Sequence, residues 1–209
     1  MKIYLIRHGF YEIPDINIIP PIDVNLTSEA KVQINEVSNS LKRKGIEKII
    51  SSPITRTYQT ANIISETISV PVEKNELFSE RKRPSEIIGR SAHDKEVKNI
   101  LDLISNNYSN LDFRYSDEEN FLDLKERGKE ALKCVIERKE EIIAIVTHAE
   151  FGTMLVSLML LGPDLPSELY LKARKFFFMG LNTPSLLEYK NNSWRLMQWN
   201  TMLDELMIK

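Results

Sequence analysis

The sequence predicts a three-layer α/β/α fold whose sheet is mostly parallel with an antiparallel edge. Three observations carry that expectation. Apolar, β-prone runs alternate with segments of helical periodicity along most of the chain, which is the pattern of βαβ units. One run, Ile142-Ile143-Ala144-Ile145-Val146, is apolar at every position, so it needs cover on both faces and belongs in the centre of a parallel sheet. Near the carboxyl end, strand-like runs at 185–189 and 194–199 flank Asn191-Asn192, a pair that tolerates the left-handed backbone of a hairpin turn.

The elements follow in order. Lys2-Ile3-Tyr4-Leu5-Ile6 is too short before Gly9 for a helix and reads as a buried strand ending in Arg7-His8-Gly9. Pro14, Pro20 and Pro21 exclude a helix or central strand over 10–26, which becomes a loop near His8. Thr27 caps a helix with Ala30, Ile34, Val37 and Leu41 on its buried face and Gly45 at its end. Lys48-Ile49-Ile50-Ser51 is a second strand. Ser52-Pro53 is expected to open the next helix, burying Ile54, Tyr58, Ala61, Ile64 and Ile68, with Arg56 and Thr57 in its first turn. Val70-Pro71-Val72 is a third strand, 73–91 a charged segment, and 92–107 a helix. Ser116-Asp117-Glu118-Glu119 has capping-box spacing and is read as the start of a long helix burying Phe121, Leu124, Ala131, Leu132 and Val135. After the central strand, Thr147-His148-Ala149-Glu150 leads into an apolar helix stopped by Gly162-Pro163. Residues 176–179 are expected as a core strand, and 201–209 as a short terminal piece.

At 209 residues the chain suits one domain, 1–209, with a lid or insertion at about 73–116. The net charge of −2 and the absence of a long basic run argue against nucleic acid, and no apolar run is long enough to span a membrane. Arg7 and His8 interrupt what would be a signal-peptide core, so a cytoplasmic protein is expected. The single Cys134 allows no internal disulfide and no thiolate zinc site. Oligomeric state stays open, a homo-oligomer included.

Arg7-His8 after the first strand, Arg56 after the second, Glu80 in the charged segment and His148 after the central strand all fall where an α/β sheet places its carboxyl edge. Two guanidinium forks and two imidazoles around one point suit a phosphate, and an imidazole can also act as nucleophile. Tyr11 and Glu12 are candidates for the mouth of such a site. The run Arg81-Lys82-Arg83 either draws an anionic substrate in or is solvated surface.

These residues sit in recognisable strings: Leu5-Ile6-Arg7-His8-Gly9; Asp23, Leu26-Thr27 and Gln33; Ser52-Pro53 followed by Arg56 and Gln59-Thr60-Ala61; Leu77 with Glu80; Val146-Thr147-His148; and Asn182 with Ser185-Leu186. With them the chain resembles the histidine phosphatase superfamily, in its phosphoglycerate mutase-like group, over almost its full length. The resemblance implies the phosphoglycerate mutase-like fold and a small phosphorylated substrate, with neither metal nor cofactor. It implies His8 as the nucleophile, with Arg7, Arg56 and His148 on the phosphoryl oxygens, Gly9, Tyr11 and Ala149 lining the substrate, and Glu80 as proton donor. Glu73, Glu76 and Glu86 share its segment and leave the register of the acid open. Phe10 stands where the family usually has an acidic residue, and Ala30 and Ala149 stand where it usually has glycine. The longer mutase signature after Arg-His-Gly is missing, which favours a phosphatase over a phosphoglycerate mutase. An idle phospholigand-binding protein is disfavoured by the intact catalytic positions.

Overall fold

In a computed structural model, which describes residues 1–201, six strands form one sheet in the order β3-β2-β4-β1-β5-β6. They are β1 (Lys2–Arg7), β2 (Lys48–Ser51), β3 (Val72–Lys74), β4 (Ile142–Thr147), β5 (Ser185–Lys190) and β6 (Ser193–Gln198). The first four in spatial order run parallel, and β5 and β6 continue the sheet antiparallel. This is the expected α/β/α architecture, with the all-apolar run as its inner strand β4. Asn191 and Asn192 both take positive φ, 52° and 57°, in the turn between β5 and β6.

Strand alternation explains why β1 and β4 are apolar throughout. Ile3, Leu5, Ile143 and Ile145 point to one face and pack with α4 (Phe121–Ile136) and α5 (Ala149–Leu161) through Leu124, Val135, Phe151 and Leu155. Tyr4, Ile6, Ala144 and Val146 point to the other, against α1 (Ser28–Leu41) and α2 (Thr55–Ile68) through Ala30, Ile34, Ala61 and Ile64. The chain therefore leaves β1 towards one face and β4 towards the opposite face. Adjacent parallel strands that part in this way open a crevice at their carboxyl ends, where α/β folds bind ligands.

Two further helices, α3 (Lys95–Asn106) and α6 (Ser167–Phe176), complete the set. α3 builds a small second core from Ile87, Val97, Ile100 and Ile104, joined by Ile19 from the proline-rich loop. Ile18 bridges to Ser91, Gly89 N–H donates to Ile19 O and Ala92 N–H to Asn17 O, so the 10–26 loop and the segment bearing α3 are stitched into one cover.

Several boundaries differ from expectation. α2 begins at Thr55, because Ser52 and Pro53 form a turn in which Ser52 Oγ accepts from Ile54 N–H. Its fully buried face is Arg56, Thr57, Thr60, Ala61 and Ile64, whereas Ile54, Tyr58 and Ile68 are half-buried, since its first turn faces the crevice. α4 starts at Phe121, five residues after the predicted cap; Asn120 and Asp123 make the capping box, and Asp117, Glu118 and Glu119 are spent on Lys82, Arg81 and Arg127. Residues 176–179 are not a strand: Phe176 ends α6, which the sequence reading missed, and Phe176 and Phe178 are exposed. β3 lies two residues later than read, α1 ends at Leu41 before Gly45, and α3 starts behind an Asp94 cap. Of the 201–209 tail, all but Thr201 lies outside the described residues.

Candidate active site

β1 and β4 are paired in register Arg7 to Thr147, so the next residue of each strand, His8 and His148, emerges side by side. Their rings stand 5.1 Å apart at 64°. Gly9 gives room immediately after: a Cβ there would come within 2.8 Å of Ile34 Cδ1 and 3.0 Å of Asn182 Oδ1, so a side chain would force both to move where α1 crosses the turn.

Both imidazoles have their tautomers set by what surrounds them. His8 Nδ1 lies 2.8 Å from Gly9 O, which can only accept, so Nδ1 carries the proton. His8 Nε2 accepts from Arg56 Nε at 3.2 Å and is therefore the unprotonated nitrogen, its lone pair on the Arg56 side of the crevice. His148 is reversed. Its Nδ1 sits 3.4 Å from Arg56 Nη2, while its Nε2–H faces Ser52 Oγ at 2.9 Å and Thr57 Oγ1 at 3.1 Å. Arg56 thus touches both histidines from the first turn of α2. Arg7 donates to Met179 O at 3.0 Å through Nη1, and its buried Nε–H has no partner among the described residues. A buried donor without an acceptor is costly and fits an anion. Tyr11 completes the wall, its ring 5.5 Å from that of His8 and 5.1 Å from the Arg56 guanidinium.

Of the four glutamates in the uncertain register, Glu80 alone reaches this edge. Glu73 pairs with Arg138, Glu76 bonds Ser79 and Glu86 is exposed. The Glu80 carboxylate accepts from Glu150 N–H at 3.2 Å and Phe151 N–H at 3.0 Å, sitting on the amino end of α5, and from Arg81 N–H at 2.9 Å. It is close enough to Arg7 and Arg56 to oppose the lowering of both guanidinium pKa values by burial. Ala149 opens α5 directly after His148. Gly9 N–H, in contrast, is already taken by Thr60 Oγ1 at 3.1 Å, so its part is steric room rather than donation.

Burial, with Arg56 and Arg7 as further causes, holds the His8 pKa well below its usual value; burial, with His8 and then Arg56, does the same for His148. Both are neutral near pH 7, and a neutral Nε2 is the nucleophilic form. The same shifts fix a pH dependence of stability. Below pH 6.5 the unfolded chain binds protons at these histidines and the folded chain does not. Stability is therefore fully present above that pH and falls as pH drops through the range from 6.5 towards the lowered folded values. The slope is about 1.4 kcal/mol per pH unit for each histidine. Urea unfolding between pH 7.5 and 5 should show the fall, and a His8→Asn variant should lose part of the slope.

The family model described as histidine phosphatase superfamily (branch 1) matches residues 3–202. The chain belongs to that superfamily. No curated protein matches the sequence. Solved structures share the fold at low identity. Alpha-ribazole phosphatase from Shigella flexneri is 17% identical over 97% of each chain, with a TM-score of 0.79. A mycobacterial glucosyl-3-phosphoglycerate phosphatase is 17% identical, covering 96% of this chain and 99% of its own, with a TM-score of 0.76. A mutant phosphoserine phosphatase from Entamoeba histolytica is 20% identical, covering 96% and 97%, also at 0.76.

This chain supports its Glu80 segment with residues the motifs do not show. Arg127 of α4 donates to the carbonyls of Leu77 and Ser79 at 2.8 Å each and pairs with both Glu119 oxygens, at 2.6 and 2.7 Å. The basic run is not a wholly solvated face. Lys82 is exposed beside Asp117, Arg83 pairs with Glu150, and Arg81 is buried between Glu118 at 2.9 Å and Glu150 at 3.1 Å. Burial would raise the Glu150 pKa, but Arg83, Arg81 and Arg174 together hold it down at about 2. No local signal marks this network, because its members come from four separate parts of the chain. Arg81→Met leaves Glu118, itself 2% exposed, as a buried carboxylate without its counter-ion. It should cost about 3–5 kcal/mol in urea unfolding at pH 7.

Proposed function

We propose that this chain is a metal-independent phosphomonoesterase that works through a phosphohistidine on His8. The observation that carries the reading is the His8 ring, with Nδ1–H held on Gly9 O and the Nε2 lone pair directed at Arg56. A substrate phosphate placed there takes its oxygens to Arg56, to the unpartnered Nε–H of Arg7 and to His148, whose Nδ1 gains a proton, and becomes a donor, beside a dianion. The arginines supply the fixed positive charge that stabilises the transferring phosphoryl group. His8 Nε2 attacks phosphorus and forms the N–P bond as the ester P–O bond breaks, while Glu80, which takes a proton from solvent when the phosphate dianion binds beside it, gives that proton to the departing alkoxide. Water then attacks the phosphohistidine, Glu80 takes a proton from it, and inorganic phosphate leaves with His8 restored. The three fold neighbours named above are phosphatases, which favours hydrolysis over phosphoryl transfer between sugars or acids.

The test is release of phosphate from 4-nitrophenyl phosphate by the purified chain in excess chelator. Expected with it is a phosphate on the protein that is labile in acid and stable in base, mapped to His8. Turnover that disappears with chelator and returns with a divalent ion would overturn the metal-independent step.

A further inference from the structure

Two aromatic side chains stand against the phosphate-binding groups, and a third stacks on one of them. On one flank, Phe178 is 65% exposed and its ring lies 5.7 Å from the Arg7 guanidinium. On the other, Tyr11 covers Arg56 and His8, and Phe10, 41% exposed, stacks on Tyr11 at 5.9 Å. We propose that Phe10, Tyr11 and Phe178 form the leaving-group site and select phosphomonoesters of apolar alcohols or phenols over sugar phosphates and phosphoglycerates. The proposal rests on the phosphatase reading above.

The placement is built in rather than incidental. Phe178 belongs to an irregular stretch whose backbone is pinned on both sides: Thr153 Oγ1 donates to Phe177 O, Asn200 Nδ2 to Phe178 O and Arg7 Nη1 to Met179 O. The ring of Phe177 packs edge-on against Trp199, which turns the next side chain outward. Phe10 is fixed in the same manner, since its carbonyl accepts from Thr27 N–H and Tyr11 bridges to Leu26. Held in this way, exposed phenylalanines cost hydration without contributing to the core, as is common where an apolar surface has a ligand to cover.

Because Phe178 and Tyr11 abut the two guanidinium groups that would hold the phosphate, with Phe10 behind Tyr11, the ester substituent leaves the site between them. Several nearby polar side chains are already committed, Ser52 and Thr57 to His148, Thr60 to Gly9, and Arg83 and Arg174 to Glu150, which leaves the Tyr11 hydroxyl and Asn182 Oδ1 as the polar groups on offer. A polyhydroxyl leaving group would exchange water for aromatic faces and leave hydroxyls unpaired, whereas an apolar one loses only unfavourable hydration. Hydrophobic pockets discriminate by roughly 10- to 200-fold for each group they accommodate.

The measurement compares kcat/KM for 2-phenylethyl phosphate and glycerol 3-phosphate, two primary alkyl esters of similar intrinsic reactivity. The native chain should prefer the phenylethyl ester by about tenfold or more. Phe178→Ala and Phe10→Ala should each bring that ratio towards one, and Phe178→Leu, which keeps an apolar face, should restore much of it. Equal or better use of glycerol 3-phosphate by the native chain overturns the assignment. So does an equal loss on both esters in the alanine variants, which would mark the rings as merely structural. If the native chain hydrolyses neither ester nor 4-nitrophenyl phosphate, the phosphatase reading falls, and this one with it. Hydrolysis without the preference removes the leaving-group assignment alone.

Discussion

Replacing His8 with Ala is expected to lower turnover of any phosphomonoester by at least ~10⁴-fold and to remove the acid-labile phosphate from the protein. The loss is large because no nearby group can substitute. His148 is the one other imidazole at this edge, and its Nε2–H is held by Ser52 and Thr57 while its Nδ1 faces Arg56. With the nucleophile gone, Arg7, Arg56 and His148 keep their electrostatic complement, so the variant should still bind phosphate or vanadate, measurable by calorimetry. Circular dichroism should show an unchanged fold, because the strand hydrogen bond from His8 N–H to Thr147 O is made by the backbone and survives the substitution. Turnover retained within tenfold of the native chain would remove His8 from the chemistry.

Glu80→Gln should divide substrates by leaving group. For alkyl phosphates, whose alkoxide needs a proton as the P–O bond breaks, kcat should fall by about 10²- to 10⁴-fold; for 4-nitrophenyl phosphate the loss should be much smaller. The structure makes this sharper than the sequence does. Glu150, the next carboxylate along this edge, is tied to Arg81 and Arg83 and held ionised to about pH 2, so it has no proton to give near neutrality. Glutamine keeps the shape and one oxygen for the Phe151 and Arg81 N–H groups, but it offers an amide to Glu150 N–H where Glu80 offered an acceptor. A small stability loss is therefore expected as well. A plot of log kcat against leaving-group pKa separates the two effects: a steeper slope reports the lost proton, whereas a parallel drop would assign the acid elsewhere.

Much of the site was legible because its members are encoded at strand ends. An apolar run that stops at a charged or titratable residue places that residue on the sheet edge, and His8, Arg56 and His148 all follow such runs. Glu80 was harder, since it lies between a 3-10 turn at Glu76–Phe78 and irregular backbone with no periodicity to fix its register. Arg127, Thr57 and Thr60 were not read as site supports, because a helical arginine or threonine has the same local pattern whether it faces solvent or a carbonyl. The misplaced start of α4 has a similar cause. Ser116-Asp117-Glu118-Glu119 has the spacing of a cap, but its carboxylates found stronger partners in Lys82, Arg81 and Arg127, and Asn120 took the capping role.

By itself, then, the sequence determined the sheet and its central strand, the hairpin edge, and which cation and imidazole arrive at the carboxyl end of each strand. Hydrophobic periodicity and turn chemistry are local, and local patterns suffice for these. Only the tertiary structure decided which glutamate meets α5, which tautomer each histidine holds, that Arg81 is buried rather than facing a substrate, and that Phe178 stands beside Arg7 instead of in a core strand. Each of those depends on the distance between groups far apart in the chain. Ion pairing, burial and hydrogen-bond direction are set by that distance, which no window of sequence contains.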